Sequence, residues 1–141
     1  MTRLAWLSAV LLLVVAACAS NMQTVQDEPL EGAETQSFDA PYADVVRAAD
    51  EAITQEKRLD VTRRQEQPEG FAILFVRPTS MTQWGGAGRL LIERGNTPPT
   101  VVHLTYDRRW GMGGAGQERW ARLIFARMRD VLRRGDASKK S

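Results

Sequence analysis

Phe71-Ala72-Ile73-Leu74-Phe75-Val76, stopped by Arg77-Pro78, is the stretch on which the fold reading turns. Six apolar residues in succession, bounded by turn formers, read as a strongly apolar strand. The turn Gln67-Pro68-Glu69-Gly70 precedes it. Ahead of that turn, Arg58 to Gln65 alternates, with Leu59 and Val61 inward and Arg58, Asp60 and Thr62 outward. Downstream, Gly88 to Glu93 carries Leu90, Leu91 and Ile92, and Asn96-Thr97-Pro98-Pro99 turns the chain. Thr100 to Asp107 then sets Val102, Leu104 and Tyr106 against Val101, His103 and Thr105. Four strand-like segments joined by short links predict an antiparallel meander.

Helical spacing flanks the meander. Tyr42, Val45, Val46, Ala49 and Ile53 recur at helical intervals behind Pro41, and Asp44, Arg47, Asp50 and Glu51 fill the other face. This predicts an amphipathic helix of about 16 residues with Pro41 in its first turn. Thr35 to Asp39, carrying Phe38, reads as a short strand before it. Trp120, Leu123, Ile124, Met128, Val131 and Leu132 form a second helical stripe, with Ala121 and Phe125 beside it. Arg119, Arg122, Arg129 and Arg133 lie opposite. Gly135 is expected to end this helix, leaving residues 135–141 as a disordered basic tail. The expected order is β-α-β-β-β-β-α. It makes an α+β two-layer sandwich: an antiparallel sheet of four to five strands with two helices packed on one face.

The 141 residues allow one domain, with a formal net charge of +2. A single Cys excludes an internal disulfide and a Cys-based zinc cluster, and a single His excludes a multi-His metal site. The apolar residues are unevenly spread. Arg3 is followed by an apolar run from Leu4 to Ala17, interrupted only by Ser8, and then by Cys18. The run has the length of a signal-peptide core and falls short of the ~20 residues a membrane span needs. Val15-Ala16-Ala17-Cys18 resembles the lipobox of bacterial lipoproteins. The resemblance implies that the Cys18 thiol receives diacylglycerol, that a peptidase cuts before Cys18, and that the new amine is acylated, palmitate being one such chain. It makes the lipid bilayer a partner. Ala19, where an Asp would retain such a protein at the inner membrane, implies the periplasmic face of the outer membrane.

Residues 1–17 are thus expected to be a leader, 18–34 an acidic flexible tether and 35–134 the α+β domain. The tether holds no Lys or Arg, and Pro29 and Gly32 interrupt it. Its acids serve solubility or hold the domain off anionic headgroups. The element order from about residue 35 to 134 is similar to that of small periplasmic lipoproteins, and of small repeated domains in lipoprotein subunits of outer-membrane assembly machinery. That resemblance implies a fold and no activity.

Gly111-Met112-Gly113-Gly114-Ala115-Gly116 matches G-x-G-x-x-G between a strand and a helix. The helix after it is the last element, so no parallel strand can return beside the first, and no nucleotide cofactor is expected. His103 alternates onto the exposed face with Thr105 as its neighbour, and no paired acid is visible along the sequence. Charge is more informative. Residues 108–141 hold ten basic and three acidic residues, whereas residues 18–40 hold five acids and no base. Outside the cytoplasm such a basic cluster suits an anionic surface or an acidic envelope protein rather than nucleic acid, or is a solvated helix face. Finally, Trp84-Gly85-Gly86-Ala87-Gly88 and Trp110-Gly111-Met112-Gly113 are similar loops with arginines close by. In a meander both lie at one end of the sheet. Trp84, Trp110, Arg108 and Arg109 are therefore the expected partner-binding residues, unless each Trp caps the core under its own loop. The functional expectation is a non-enzymatic binding or scaffolding module in the cell envelope. The alternatives are a small hydrolase of an envelope polymer and a membrane-surface module using the basic helix.

Overall fold

The computed structural model describes residues 30–81, 85–107 and 116–139. Seven elements follow in order: β1 (Glu34–Phe38), α1 (Tyr42–Thr54), β2 (Asp60–Gln67), β3 (Gly70–Arg77), β4 (Gly86–Glu93), β5 (Thr100–Asp107) and α2 (Gly116–Lys139). The strands form one sheet in the order β1-β5-β4-β3-β2, with every pair antiparallel. β1 to α1 is the only departure from a meander. The first strand pairs with the last, and α1 carries the chain to the opposite edge. The expected element order and the α+β class hold.

α1 is shorter than its apolar spacing suggests. Pro41 stands at the N-cap in an extended conformation, φ −61° and ψ 149°, one position ahead of the first turn. The helix closes at Thr54, where Glu56 N–H reaches back to Ile53 C=O at 3.0 Å. Ala48, Ala49 and Ala52 are buried with Val45 and Ile53. These small side chains let α2 approach closely, so the two helices pack on one another as well as on the sheet. α1 lies over β4 and β2, and α2 lies over β5 and β1.

α2 runs on through Gly135 to Lys139 instead of ending there. The glycine makes no turn there and lies against the tip of an arginine of α1. A Cβ at Gly135 would stand 3.0 Å from Arg47 Nη2 on α1. The last turns are tied to α1 by Arg134 on Glu51 at 3.4 Å and by Lys139 on Asp44 at 2.9 Å. The Lys139 hydrogen bond holds the Asp44 carboxyl below its usual range. Tertiary ion pairs thus continue a helix that local signals would stop.

The core between sheet and helices includes Phe38, Ile73, Phe75, Leu90, Ile92, Val102, Leu104 and Tyr106 from the strands. Trp120, Ala121, Ile124, Phe125 and Met128 face them from α2. The central strands are also buried on their helix-free side, where Ala72, Leu74 and Leu91 alternate away from the helices and are at most 2% exposed. This explains the unbroken apolar runs in β3 and β4, where a half-exposed sheet would alternate. In one core row Gly88 lies between its register partners Phe75 and Tyr106. The two rings meet across it, nearly parallel at 22° with centroids 6.4 Å apart. A Cβ at Gly88 would come within 2.3 Å of the Phe75 ring. Gly88→Ala should therefore overpack the row and cost about 1–3 kcal/mol. A urea unfolding midpoint equal to that of the natural chain would contradict this account.

Candidate functional site

Of the residues singled out from sequence, Cys18, Trp84, Arg108, Arg109 and Trp110 all lie outside the described residues. The roots of both Trp-Gly loops are described. Gly86 pairs with Arg77, and Ala87 pairs with Asp107. The strands that enter and leave these loops therefore share one end of the sheet.

At that end an arginine-flanked Trp is present, contributed by α2. Trp120 is buried, and its ring packs on Tyr106 at 6.5 Å. The Arg58 guanidinium stands 5.0 Å from the ring centroid and that of Arg77 6.0 Å. Both lie within cation–π range. Sequence periodicity placed Trp120 in the core stripe and gave no sign of the two cations, which arrive from the loop before β2 and the end of β3.

Behind Arg58 sits the most buried acid among the described residues. Glu56 is 3% exposed. Its Oε1 accepts from Arg58 Nε at 2.7 Å and from Arg58 N–H at 3.2 Å, and its Oε2 accepts from Arg58 Nη2 at 3.1 Å. Arg127 Nη1 of α2 lies 3.0 Å from Oε2, near enough for an ion pair but not aligned as a hydrogen bond. The hydrogen bond from the Arg58 side chain outweighs desolvation and holds the Glu56 carboxyl below its usual range. This cluster locks α1, β2 and α2 together.

The outer face of α2 carries Arg119, Arg122, Arg129, Arg133 and Arg134, all exposed. Arg122 pairs with Glu118, Arg133 with Asp130 and Arg134 with Glu51. Among the described residues, Arg119 and Arg129 enter no ion pair. Arg129 Nη1 instead donates to the neutral Gln36 Oε1 at 3.2 Å. Beneath this face, α2 and the edge strand β1 enclose two cavities. One, of about 160 Å³, is lined by Glu34, Thr35 and Gln36 against Ala121, Arg122, Phe125 and Arg129. The other, of about 360 Å³, is lined by Ser37, Phe38 and Asp39 against Arg129, Leu132 and Arg133. Arg129 lines both, so they form one groove along β1 with a guanidinium at its middle. The amphipathic spacing of α2 signalled its arginine face. The groove depends on β1 pairing with β5, which spacing alone does not convey.

His103 has the partners that sequence could not supply. Its Nδ1 lies 2.9 Å from Thr35 Oγ1, and its Nε2 lies 2.7 Å from Glu93 Oε1. Its side chain is 13% exposed, so it is not a solvated histidine. His103 is directly opposite Leu91, which puts Glu93 diagonally across β4. The hydroxyl, imidazole and carboxylate can pass a proton along this chain. Acyl transfer also requires a cleft and oxyanion donors, and His103 lines neither cavity of the groove. Among the described residues, no three His, Cys, Asp or Glu side chains gather to hold a metal ion.

The chain matches no family model, no curated protein and no solved structure.

The Glu56 cluster makes a pH prediction. A carboxyl whose folded pKa is lowered stabilises the fold above its unfolded value, and that stabilisation is lost as pH falls through the lowered folded value. Glu56→Gln should remove this part of the acid dependence and leave Arg58 and Arg127 without their shared anion. The expected cost at pH 7 is about 1–3 kcal/mol. Parallel stability–pH curves for the two proteins between pH 7 and 3 would show that the carboxylate is not what the cluster relies on.

Proposed function

We propose that the protein is a lipid-anchored envelope protein whose α+β domain is a non-enzymatic binding module. The anchor is acylated Cys18, and the binding surface is the arginine face of α2 with the groove beneath it. The observation that carries this reading is the exposed row of arginines above a groove with Arg129 at its centre. Arg119 and Arg129 are available for a carboxylate or phosphate, and a guanidinium binds either in bidentate fashion. Beside them, Phe38 and Leu132 offer apolar contact. An acidic envelope protein suits such a surface. Among the described residues no helix is long and apolar enough to cross a membrane, and the lipid on Cys18 supplies the attachment. Two or more acyl chains, at ~0.8 kcal/mol per buried methylene, hold where one would exchange.

The same arginines favour a second reading, in which the face rests on anionic headgroups. Each basic residue near such a surface adds about 1 kcal/mol, and the attraction fades within a Debye length. Affinity capture of the lipidated protein from intact envelopes separates the two. Arg119→Glu/Arg129→Glu should keep the fold and lose the captured protein. Capture unchanged by the double variant would overturn the binding-face reading. Loss of vesicle binding with no captured protein would favour the headgroup reading. The anchor has its own test: Cys18→Ser should accumulate as unprocessed or soluble protein. Recovery of that variant as a mature acylated species would sink the lipoprotein assignment.

A further inference from the structure

The two edges of the sheet are built differently. β2 has a register shift between Val61 and Arg63 and carries Asp60, Arg63, Arg64 and Glu66. A bulge and a run of charges are the usual means of keeping an edge from pairing. β1, Glu34-Thr35-Gln36-Ser37-Phe38, pairs in unbroken register with β5 and has no bulge, no Pro, no Lys and no Arg. Among the described residues no strand lies on its other side. Backbone N–H and C=O groups alternate between the two sides of a strand, so part of those of β1 point to that open edge.

The same edge borders the groove under α2, and the groove follows the strand. Residues 34–36 line its smaller cavity and residues 37–39 its larger one. An extended segment added to β1 therefore runs the length of the groove, with alternate side chains turned toward α2. Gln36 and Phe38 face the helices, one receiving Arg129 and the other packing in the core. Side chains directly opposite share a face. A residue opposite Gln36 meets Arg129, an exposed guanidinium that enters no ion pair among the described residues and donates to a neutral amide. The residue two places from it, opposite Phe38, meets Leu132 in the larger cavity. The first position suits a carboxylate and the second an apolar side chain, and the spacing of two holds in either strand direction. Acids stand at both ends of the groove, Glu34 and Glu118 at one and Asp39 and Asp136 at the other, so an added carboxylate belongs at the middle. A second copy of the chain is the poorer occupant. Antiparallel pairing of two β1 strands about Gln36 brings both Arg129 guanidiniums to the twofold axis, where like charges repel.

We propose that the open edge of β1 takes up an extended segment of an acidic protein as an added strand, with an Asp or Glu opposite Gln36 on Arg129 and an apolar residue two places away against Leu132. This rests on the binding-face reading above and adds the mode of binding. Main-chain hydrogen bonds to β1 supply affinity, and the two side-chain positions supply selectivity.

The probe is the blocked heptapeptide acetyl-TLTDTLT-amide, which reads the same in both directions, with acetyl-TLTNTLT-amide as its uncharged counterpart. Residue-resolved amide exchange of the full chain follows β1. In the free monomer the outward amides of residues 34–38 should exchange freely, and the acidic peptide, at up to about 1 mM, should slow them at least about tenfold. The uncharged peptide should bind about tenfold more weakly, and Arg129→Gln should erase that difference. Outward amides already protected in the free monomer would show the edge filled by the chain itself, and protection that rises with protein concentration would give it to a second copy. Either result overturns the proposal, as does exchange that the acidic peptide leaves unchanged, or equal affinity for the two peptides. If these fail while Arg119→Glu/Arg129→Glu still loses the captured protein, strand addition is wrong and the binding face stands. If capture is also unchanged, both fall.

Discussion

Gly88 admits two rings into one row of the core, and much of the molecule is placed by that row. Phe75 and Tyr106 stack over the glycine from β3 and β5. Trp120 then packs on Tyr106 and fixes the N-terminal half of α2 over β5. Gln117, one turn earlier, accepts from Tyr106 N–H at 3.1 Å and donates to Gly32 C=O at 2.7 Å. The start of α2 is therefore tied to β5 and to the turn that leads into β1. From there the helix axis carries Phe125 onto Phe38, edge to face at 6.1 Å, and Arg129 onto Gln36. The groove and the arginine face lie where they do because the helix above them is positioned from its buried end.

The net charge of +2 hides a strong polarity along the chain. Residues 18–40 carry acids and no base, whereas bases outnumber acids in the last helix. In the fold, part of this polarity is neutralised across elements: Arg134 meets Glu51, Lys139 meets Asp44 and Arg127 meets Glu56. The two exposed pairs, Arg134–Glu51 and Lys139–Asp44, contribute little each. The value of all three is positional, since they join α2 to α1 or to the residues just after it. What they leave over is on the outward side of α2, so the helix spends some arginines on attachment and presents others to solvent.

The fold was legible because its signals were local. β5 was read to its ends, Thr100 and Asp107, from strict alternation, and β3 from an unbroken apolar run. β4 was read two residues short because Gly86-Ala87-Gly88 looks like loop; its glycine is a packing device, visible only when Phe75 and Tyr106 are brought beside it. Gly135 also misled, since it lies within α2 beside Arg47 of α1 and not at a helix end. The site was less legible because it is made by register. Nothing along the chain relates His103 to Thr35, 68 residues away, or Arg129 to Gln36, 93 residues away. Trp84, Trp110, Arg108 and Arg109 were chosen by likeness of two loops, and the described strands bear on the roots of those loops alone.

The chain Thr35–His103–Glu93 has the composition of a catalytic triad, and its position explains a different use. It crosses β1, β5 and β4 on the helix-free side of the sheet. On the opposite side the same edge strand is held by Phe38 in the core and by Gln36 under Arg129. Thr100 Oγ1 adds a bond to Ala40 C=O at 2.8 Å just beyond its end. β1 is only five residues long and has one strand partner among the described residues, so its backbone pairing alone would fray. Side-chain bonds from both faces compensate for that shortness. An imidazole suits the helix-free side because it can bond at both ring nitrogens at once and so join three strands. The polar atoms that resemble a reaction centre thus act as a clamp, and the strand they clamp is the one that borders the groove.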